Sequence, residues 1–160
     1  MFDVGIIGCG PAGIFTALEI LKERPKCKII MFDKGNNINI RNCPKNKIGH
    51  CLHCKSCNIS CGFGGAGAFS DGKLTLSKDI GGYLEEYIGE EKLNEYIEYV
   101  DKTYINYGGD SHIEFDEQFA NEMAQKCEKN NLKFIKSPIR HLGTEKCALI
   151  MRDMYEKLMS

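Results

Sequence analysis

Two sets of residues in this chain have types and spacings that could do chemistry. Gly8, Gly10 and Gly13 form G-x-G-x-x-G, and Asp33 follows Gly13 by 20 positions. Cys51, Cys54, Cys57 and Cys61 form C-x2-C-x2-C-x3-C, followed by a second glycine run, Gly64, Gly65, Ala66 and Gly67, and then by Ser70. The first spacing suits a dinucleotide. Gly8 would allow a tight turn, Gly10 would let a pyrophosphate approach the backbone, and Gly13 would let a helix pack close to a strand. A helix N-terminus offers unpaired N–H groups and a partial positive charge to phosphate. Asp33 would accept from ribose hydroxyls, and a carboxylate there favours a free 2′-OH. Pro11 fits the first helical turn, where its missing N–H costs nothing. Pro11, Ala12 and Lys34 complete the set expected around the dinucleotide.

The second spacing is that of bacterial iron–sulfur proteins. Gly62, not proline, follows the last cysteine. Cys43, in a Cys43-Pro44 pair, is an alternative fourth ligand. A 4Fe–4S cluster, a zinc ion, a redox dithiol such as Cys54 and Cys57, and unligated thiols all remain open at this point. Zinc fits less well, because structural zinc sites usually separate their ligand pairs more widely. Successive glycine N–H groups at Gly64–Gly67 can make an anion-binding nest.

The elements that must position these residues are legible in the hydrophobic pattern. Val4, Ile6 and Ile7 read as a short strand. Ile14, Ala17, Leu18 and Leu21 recur as the apolar face of a helix. Cys27 to Phe32 is an almost wholly apolar run, as for a strand buried on both faces. Residues 35–49 read as loop, and the cysteine- and glycine-rich stretch after it as an irregular segment that something must order. Leu84, Tyr87 and Ile88 predict a short helix, and Leu93, Tyr96, Ile97, Val100 and Tyr104 a longer one ending at Gly108 and Gly109. Phe115, Phe119, Met123 and Cys127 predict another, stopped by Asn130 and Asn131. These aromatic stripes read as core. Leu132–Ile135 is a candidate strand, broken by Ser137-Pro138, and Thr144 can cap a last helix with Cys147, Ile150, Met151, Met154 and Leu158 on its face. A two-stranded parallel sheet is not a stable unit alone. Leu132–Ile135 could supply a third strand; otherwise the chain reads as a fragment.

Composition bounds the rest. The 160 residues are 42% hydrophobic and 27% charged, with a formal net charge of −1. That is an ordinary globular balance. Between Lys34 and Ser70 there are five Lys/Arg and no acids; between Asp79 and Asp101 there are eight acids and one lysine. The basic stretch could serve nucleic acid, but it has few aromatics and no repeat, and a local anion such as a phosphate or a cluster of thiolates explains it at least as well. The longest uncharged run, Val4–Leu18, has 15 residues, short of the ~20 that cross a bilayer. No membrane and no secretory leader is expected. An odd count of nine cysteines argues against a disulfide framework and for the cytoplasm.

The N-terminal GIIGCGPAG, the segment GFGGAGAFSDGKL from Gly62 to Leu74, and HLGTE from His141 to Glu145 together are similar to a family of bacterial FAD-dependent dehydrogenases. These belong to the glutathione-reductase-like flavoprotein superfamily. The resemblance covers nearly the whole chain but only the amino-terminal part of the family's length. It implies FAD, with adenosine and pyrophosphate on Gly8, Gly10 and Gly13, the ribose on Asp33, and Gly64–Gly67 with Ser70, Asp71 and Gly72 towards the flavin. The expected fold is α/β, a Rossmann-like FAD/NAD(P)-binding domain truncated before its sheet is complete. Residues 1–78 are expected to form the dinucleotide-binding part and 79–160 a mainly helical segment. The expected function is FAD-dependent oxidoreduction of a small molecule with an unidentified electron partner, and no catalytic residue can be named. The alternatives are an NAD-binding module and a metal-binding or interaction fragment without catalysis.

Overall fold

The computed structural model describes residues 1–160. The fold is mixed α/β with two small sheets. The chain divides into two compact units, Met1–Asp71 with Thr144–Ser160, and Gly72–Gly143. This differs from the expected division at residue 78, because the last helix packs with the first unit. No helix is long and apolar enough to cross a membrane.

The first unit opens with β1 (Val4–Ile7), α1 (Pro11–Glu23) and β2 (Ile29–Phe32). The strands pair in parallel, Val4 opposite Ile29 through Ile7 opposite Phe32. In α1, Ile14 and Ala17 are buried, as the spacing of apolar residues requires. The helix ends at Arg24, whose N–H reaches the Ile20 carbonyl at 2.7 Å. Cys27 then donates to the Arg24 carbonyl, so it belongs to the turn and not, as its apolar run suggested, to the second strand. Nor are the strands buried on both faces: Ile7 is 93% and Phe32 55% exposed. Val4 and Ile6 are half-buried and alternate with exposed Gly5 and Ile7, the pattern of a sheet covered on one face.

Residues 35–49, read as loop, contain a 3-10 turn at Ile38–Ile40 and α2 (Lys45–Ile48), a single turn stopped by Gly49 at φ +84°. A second 3-10 turn, Gly65–Phe69, follows the cysteines. Across these turns and α1 lies the last helix of the chain, Thr144–Met159, with Cys147, Ile150, Met151 and Met154 buried. Its fit is close: a Cβ on Gly64 would stand 3.0 Å from Met151 Cγ, and the Phe63 and Tyr155 rings meet edge to face at 5.2 Å.

The second unit holds β3 (Lys73–Thr75), α3 (Glu85–Ile88), α4 (Glu90–Asn106), α5 (Glu117–Glu128) and β4 (Ile139–His141), so the last helix of the chain is α6. β3 and β4 pair antiparallel, with Leu74 opposite Arg140. Arg140 is the fixed point of this unit. It is 2% exposed, and its Nε and Nη2 grip both carboxylate oxygens of Asp101 on α4, the latter at 2.7 Å. Its Nη1 donates to the carbonyls of Asp110 at 2.7 Å and His112 at 3.1 Å. The Asp116 side chain caps α5 by accepting the Phe119 N–H at 2.9 Å, so Phe115 precedes the helix.

Leu132–Ile135 does not form the expected strand. Asn131 takes a left-handed φ of +57°, and the Leu132 N–H returns to the Cys127 carbonyl at 2.8 Å. This is a Schellman closure of α5, and it uses Leu132 as a stop. Leu132 and Ile135 stay exposed, and the strand comes after Pro138. The aromatic stripes are not all core either. Tyr87, Tyr96 and Phe119 are exposed, because a unit this small buries little of its surface.

Candidate functional site

Three chain segments converge at the carboxyl end of β1 and β2. Gly8 turns the chain at φ +99°, and its N–H donates to the Phe32 carbonyl at 2.7 Å. A Cβ on Gly13 would lie 2.0 Å from the Gly8 carbonyl oxygen and 3.3 Å from Ile6 Cγ2. Only glycine lets α1 seat against β1 there. Gly10 is different, since nothing lies within 4 Å of where its Cβ would stand. It is the N-cap of α1, with Pro11 in the first turn. The first intrahelical bond runs from Ile14 N–H to Gly10 carbonyl at 3.0 Å, and the amides of Gly10, Ala12 and Gly13 donate to no protein acceptor. Such amides, with the helix dipole behind them, are suited to a phosphate.

Asp33 occupies the expected place but is already engaged. Its Oδ1 accepts the N–H of Gly35 and of Gly62, each at 2.8 Å, and its Oδ2 accepts the N–H of Cys9 at 2.9 Å. The carboxylate therefore ties the glycine turn, the end of β2 and the cysteine loop together. A carboxylate offers about four acceptor sites, so Oδ2 keeps room for one hydroxyl. Partial burial pushes the Asp33 pKa up, but the amides of Cys9, Gly35 and Gly62 and the charge of Arg41 outweigh it, and the net shift is downward.

The second glycine run sits against the first. Gly64 N–H donates to the Cys9 carbonyl at 2.7 Å, and a Cβ on Gly65 would stand 3.3 Å from Gly10 Cα. Gly64 and Gly65 both have positive φ, +87° and +57°. Ala66 and Gly67 lie on the exposed side of the turn, and the Ser70 hydroxyl closes it on the Gly67 carbonyl at 3.2 Å. Gly8, Gly10, Asp33, Lys34, Cys61 and Gly65 line one open cleft of about 500 Å³.

What orders the cysteine loop is Arg41, which the sequence reading counted only as one positive charge. It is 3% exposed. Nε donates to the Asn58 carbonyl at 3.0 Å, Nη1 to Phe63 at 2.5 Å and Nη2 to Ile59 at 2.8 Å. The guanidinium also stacks 4.8 Å from the Phe69 ring centre. The signal was present: a stretch without acids and rich in glycine leaves many carbonyls unpaired, and an arginine within it can satisfy several at once.

The structure does not gather the cysteines as metal ligands. Cys51, Cys54 and Cys57 are exposed, Cys43 and Cys61 half-buried, and all nine thiols of the chain are unpaired. No three of the Cys, His, Asp and Glu side chains come together as a metal-holding group. The structure shows no preformed cage for a cubane cluster or a zinc ion. Two of the cysteines are nonetheless held as a pair. Cys61 N–H donates to the Cys57 carbonyl at 2.8 Å and Ser60 N–H to the same carbonyl at 3.1 Å, forming one α-turn. The amides of Ile59 and Ser60 hold the Cys57 thiol below its usual pKa, and the Ser60 hydroxyl, 3.6 Å from Cys61 Sγ, does the same for Cys61, with help from Lys34.

No protein-family model matches the chain, and no solved structure matches it. A protein of Clostridium beijerinckii, described as uncharacterized, is 32% identical over 143 residues, which is 88% of this chain and 23% of that protein. The chain thus spans about a quarter of the length of the relative it matches.

Proposed function

We propose that the first unit is a Rossmann-like dinucleotide-binding domain that holds FAD, and that the chain works within an FAD-dependent oxidoreductase. The observation that carries this is the glycine turn: Gly13 excludes any side chain by a 2.0 Å contact with Gly8, while Gly10 stays open beside unpartnered amides. A turn that is tight where the helix packs and open where a ligand would come is the pattern a diphosphate needs. In this reading the amides of Gly10, Ala12 and Gly13 bind the diphosphate, the remaining Oδ2 site of Asp33 takes a ribose hydroxyl, and Lys34 lies beside both. Gly65, pressed on Gly10, favours FAD over NAD, because it brings a second glycine backbone to the cleft for the flavin half. The flavin, when bound, supplies hydride or electron transfer. The residues of this chain bind and orient it. The unpaired thiols support a cytoplasmic setting.

The test is a titration of the chain with FAD, followed by quenching of flavin fluorescence and by visible absorbance, with NAD in parallel. Micromolar binding of FAD, weakened at least tenfold in Gly10→Val, supports the reading. Binding of NAD alone turns it to a nicotinamide module, and binding of neither removes it.

A further inference from the structure

We propose that Cys57 and Cys61 are a thiol–disulfide exchange pair, with Cys61 as the attacking sulfur and Cys57 as the resolving one, and that their substrate is a small disulfide. The four clustered cysteines have a metal-binding spacing, yet only two are placed in fixed relation, and those two are not Cys54 and Cys57.

Three observations define the pair. The Cys61 N–H to Cys57 carbonyl bond, 2.8 Å, sets the two residues one α-turn apart. Residues so spaced have Cβ atoms about 5–6 Å apart, and a disulfide needs about 3.5–4.5 Å. The turn stands alone, ended by Gly62 at φ +107°, so it can tighten without disturbing a helix. Second, Arg41 holds the carbonyls of Asn58 and Ile59 inside that turn and presents its guanidinium charge to both sulfurs. It bonds only to carbonyls and stacks on one ring, so no carboxylate takes the charge in a direct ion pair. Third, the two sulfurs are unequal. Cys61 is half-buried and lines the cleft beside Lys34, whereas Cys57 is exposed. An attacking thiol wants a cationic, partly exposed setting with room for the disulfide beside it, which Lys34 and the cleft give Cys61.

The exchange balances without another reactant. The Cys61 thiolate attacks one sulfur of the disulfide R–S–S–R, forming a Cys61–S–S–R bond and expelling one thiolate RS⁻, which takes the proton lost from Cys61. The Cys57 thiolate then attacks Cys61 Sγ, forming the Cys57–Cys61 bond and releasing the second RS⁻, protonated by the proton Cys57 gave up. The protein pair is oxidised by two electrons and the small disulfide is reduced to two thiols.

The reduced chain is incubated with glutathione disulfide, quenched by acid and alkylation, and mapped by mass spectrometry. The expected product is a Cys57–Cys61 disulfide with two glutathiones released per chain. Cys57→Ser should stop at a glutathione mixed disulfide on Cys61, formed about tenfold faster than on Cys51 or Cys54. Cys51→Ser/Cys54→Ser should behave as the unaltered chain. The proposal is overturned if Cys54 pairs with Cys57, if Cys61 reacts no faster than the exposed cysteines, or if anaerobically prepared chain carries stoichiometric iron and sulfide. No dinucleotide is needed, so a failure of FAD binding leaves this result readable on its own.

Discussion

Arg41 and Arg140 are equally buried, at 3% and 2% exposure, and each organises one unit, but they use their charge differently. Arg140 meets a carboxylate, Asp101, with two donors, and two further carbonyls take the third nitrogen. Its charge is neutralised where it sits, and the result is a brace between α4 and β4. Arg41 meets carbonyls and a ring. Its charge is left to act on what lies near, namely Asp33, Cys57 and Cys61. The fork geometry of arginine serves both. The difference is that one side chain completes a structure while the other also polarises a site.

If that distinction holds, the largest effect belongs to Arg140. Arg140→Leu strands the Asp101 carboxylate and should cost about 3–5 kcal/mol, seen as a lower urea midpoint by circular dichroism. Arg41→Leu frees the carbonyls of exposed Ile59, half-buried Asn58 and buried Phe63. Water can replace the first two bonds but not the third, so about 1–3 kcal/mol is expected. The same substitution should move the pH profiles of Cys57 and Cys61 alkylation upward, since both pKa values lose a lowering contribution. An Arg140→Leu chain that still folds at low temperature should leave those profiles in place. Equal stability losses, or unchanged thiol profiles in Arg41→Leu, would erase the comparison.

Neither arginine was recognised in the sequence, and the reason is physical. The glycine turn was legible because each of its residues answers to a local rule: Gly13 to a steric contact five residues back, Pro11 to a missing N–H, Asp33 to the end of a strand. Arg41 satisfies carbonyls 17 to 22 positions away, and Arg140 a carboxylate 39 positions away. Such partners are fixed only by tertiary packing. The cysteine spacing was legible as a pattern but not as a site, because spacing does not say which way a loop turns its thiols. Leu132–Ile135 was misread for the opposite reason. Its apolar residues match a strand locally, but the left-handed Asn131 had already used Leu132 to close α5. The parallel βαβ unit and α6 followed their patterns, because burial of one apolar face decides both.

The glycine turn allows a finer cut of the same comparison, between what is structural and what is open to a ligand. Gly13→Ala puts a methyl 2.0 Å from the Gly8 carbonyl. Overpacking of this kind costs about 1–3 kcal/mol, and dinucleotide affinity should fall with it. Gly10→Ala meets nothing within 4 Å, so stability should change by under about 1 kcal/mol. Its effect should appear only in FAD titration. A Gly10→Ala chain that unfolds early would show that the turn is closed for structural reasons alone.

The smallest effect is the pH dependence carried by Asp33. Its folded pKa lies below the ordinary carboxylate value, because three amides and Arg41 outweigh the cost of partial burial. A carboxylate with a depressed folded pKa stabilises the fold fully above its unfolded pKa, near 4, and that contribution is lost as pH falls through the folded pKa. The unaltered chain should therefore lose stability from about pH 5 downward, measured as the urea midpoint at successive pH values. Asp33→Asn presents an amide NH2 where a second acceptor stood, so one of the amides of Cys9, Gly35 and Gly62 loses its partner. The cost at pH 7 should be about 1 kcal/mol, and the acid slope below pH 5 should flatten. Because the same carboxylate joins the glycine turn to the cysteine loop, Asp33→Asn should also slow closure of the Cys57–Cys61 disulfide. If the acid slope flattens and disulfide closure is untouched, Asp33 positions the glycine turn alone and the Arg41 clamp suffices for the thiols.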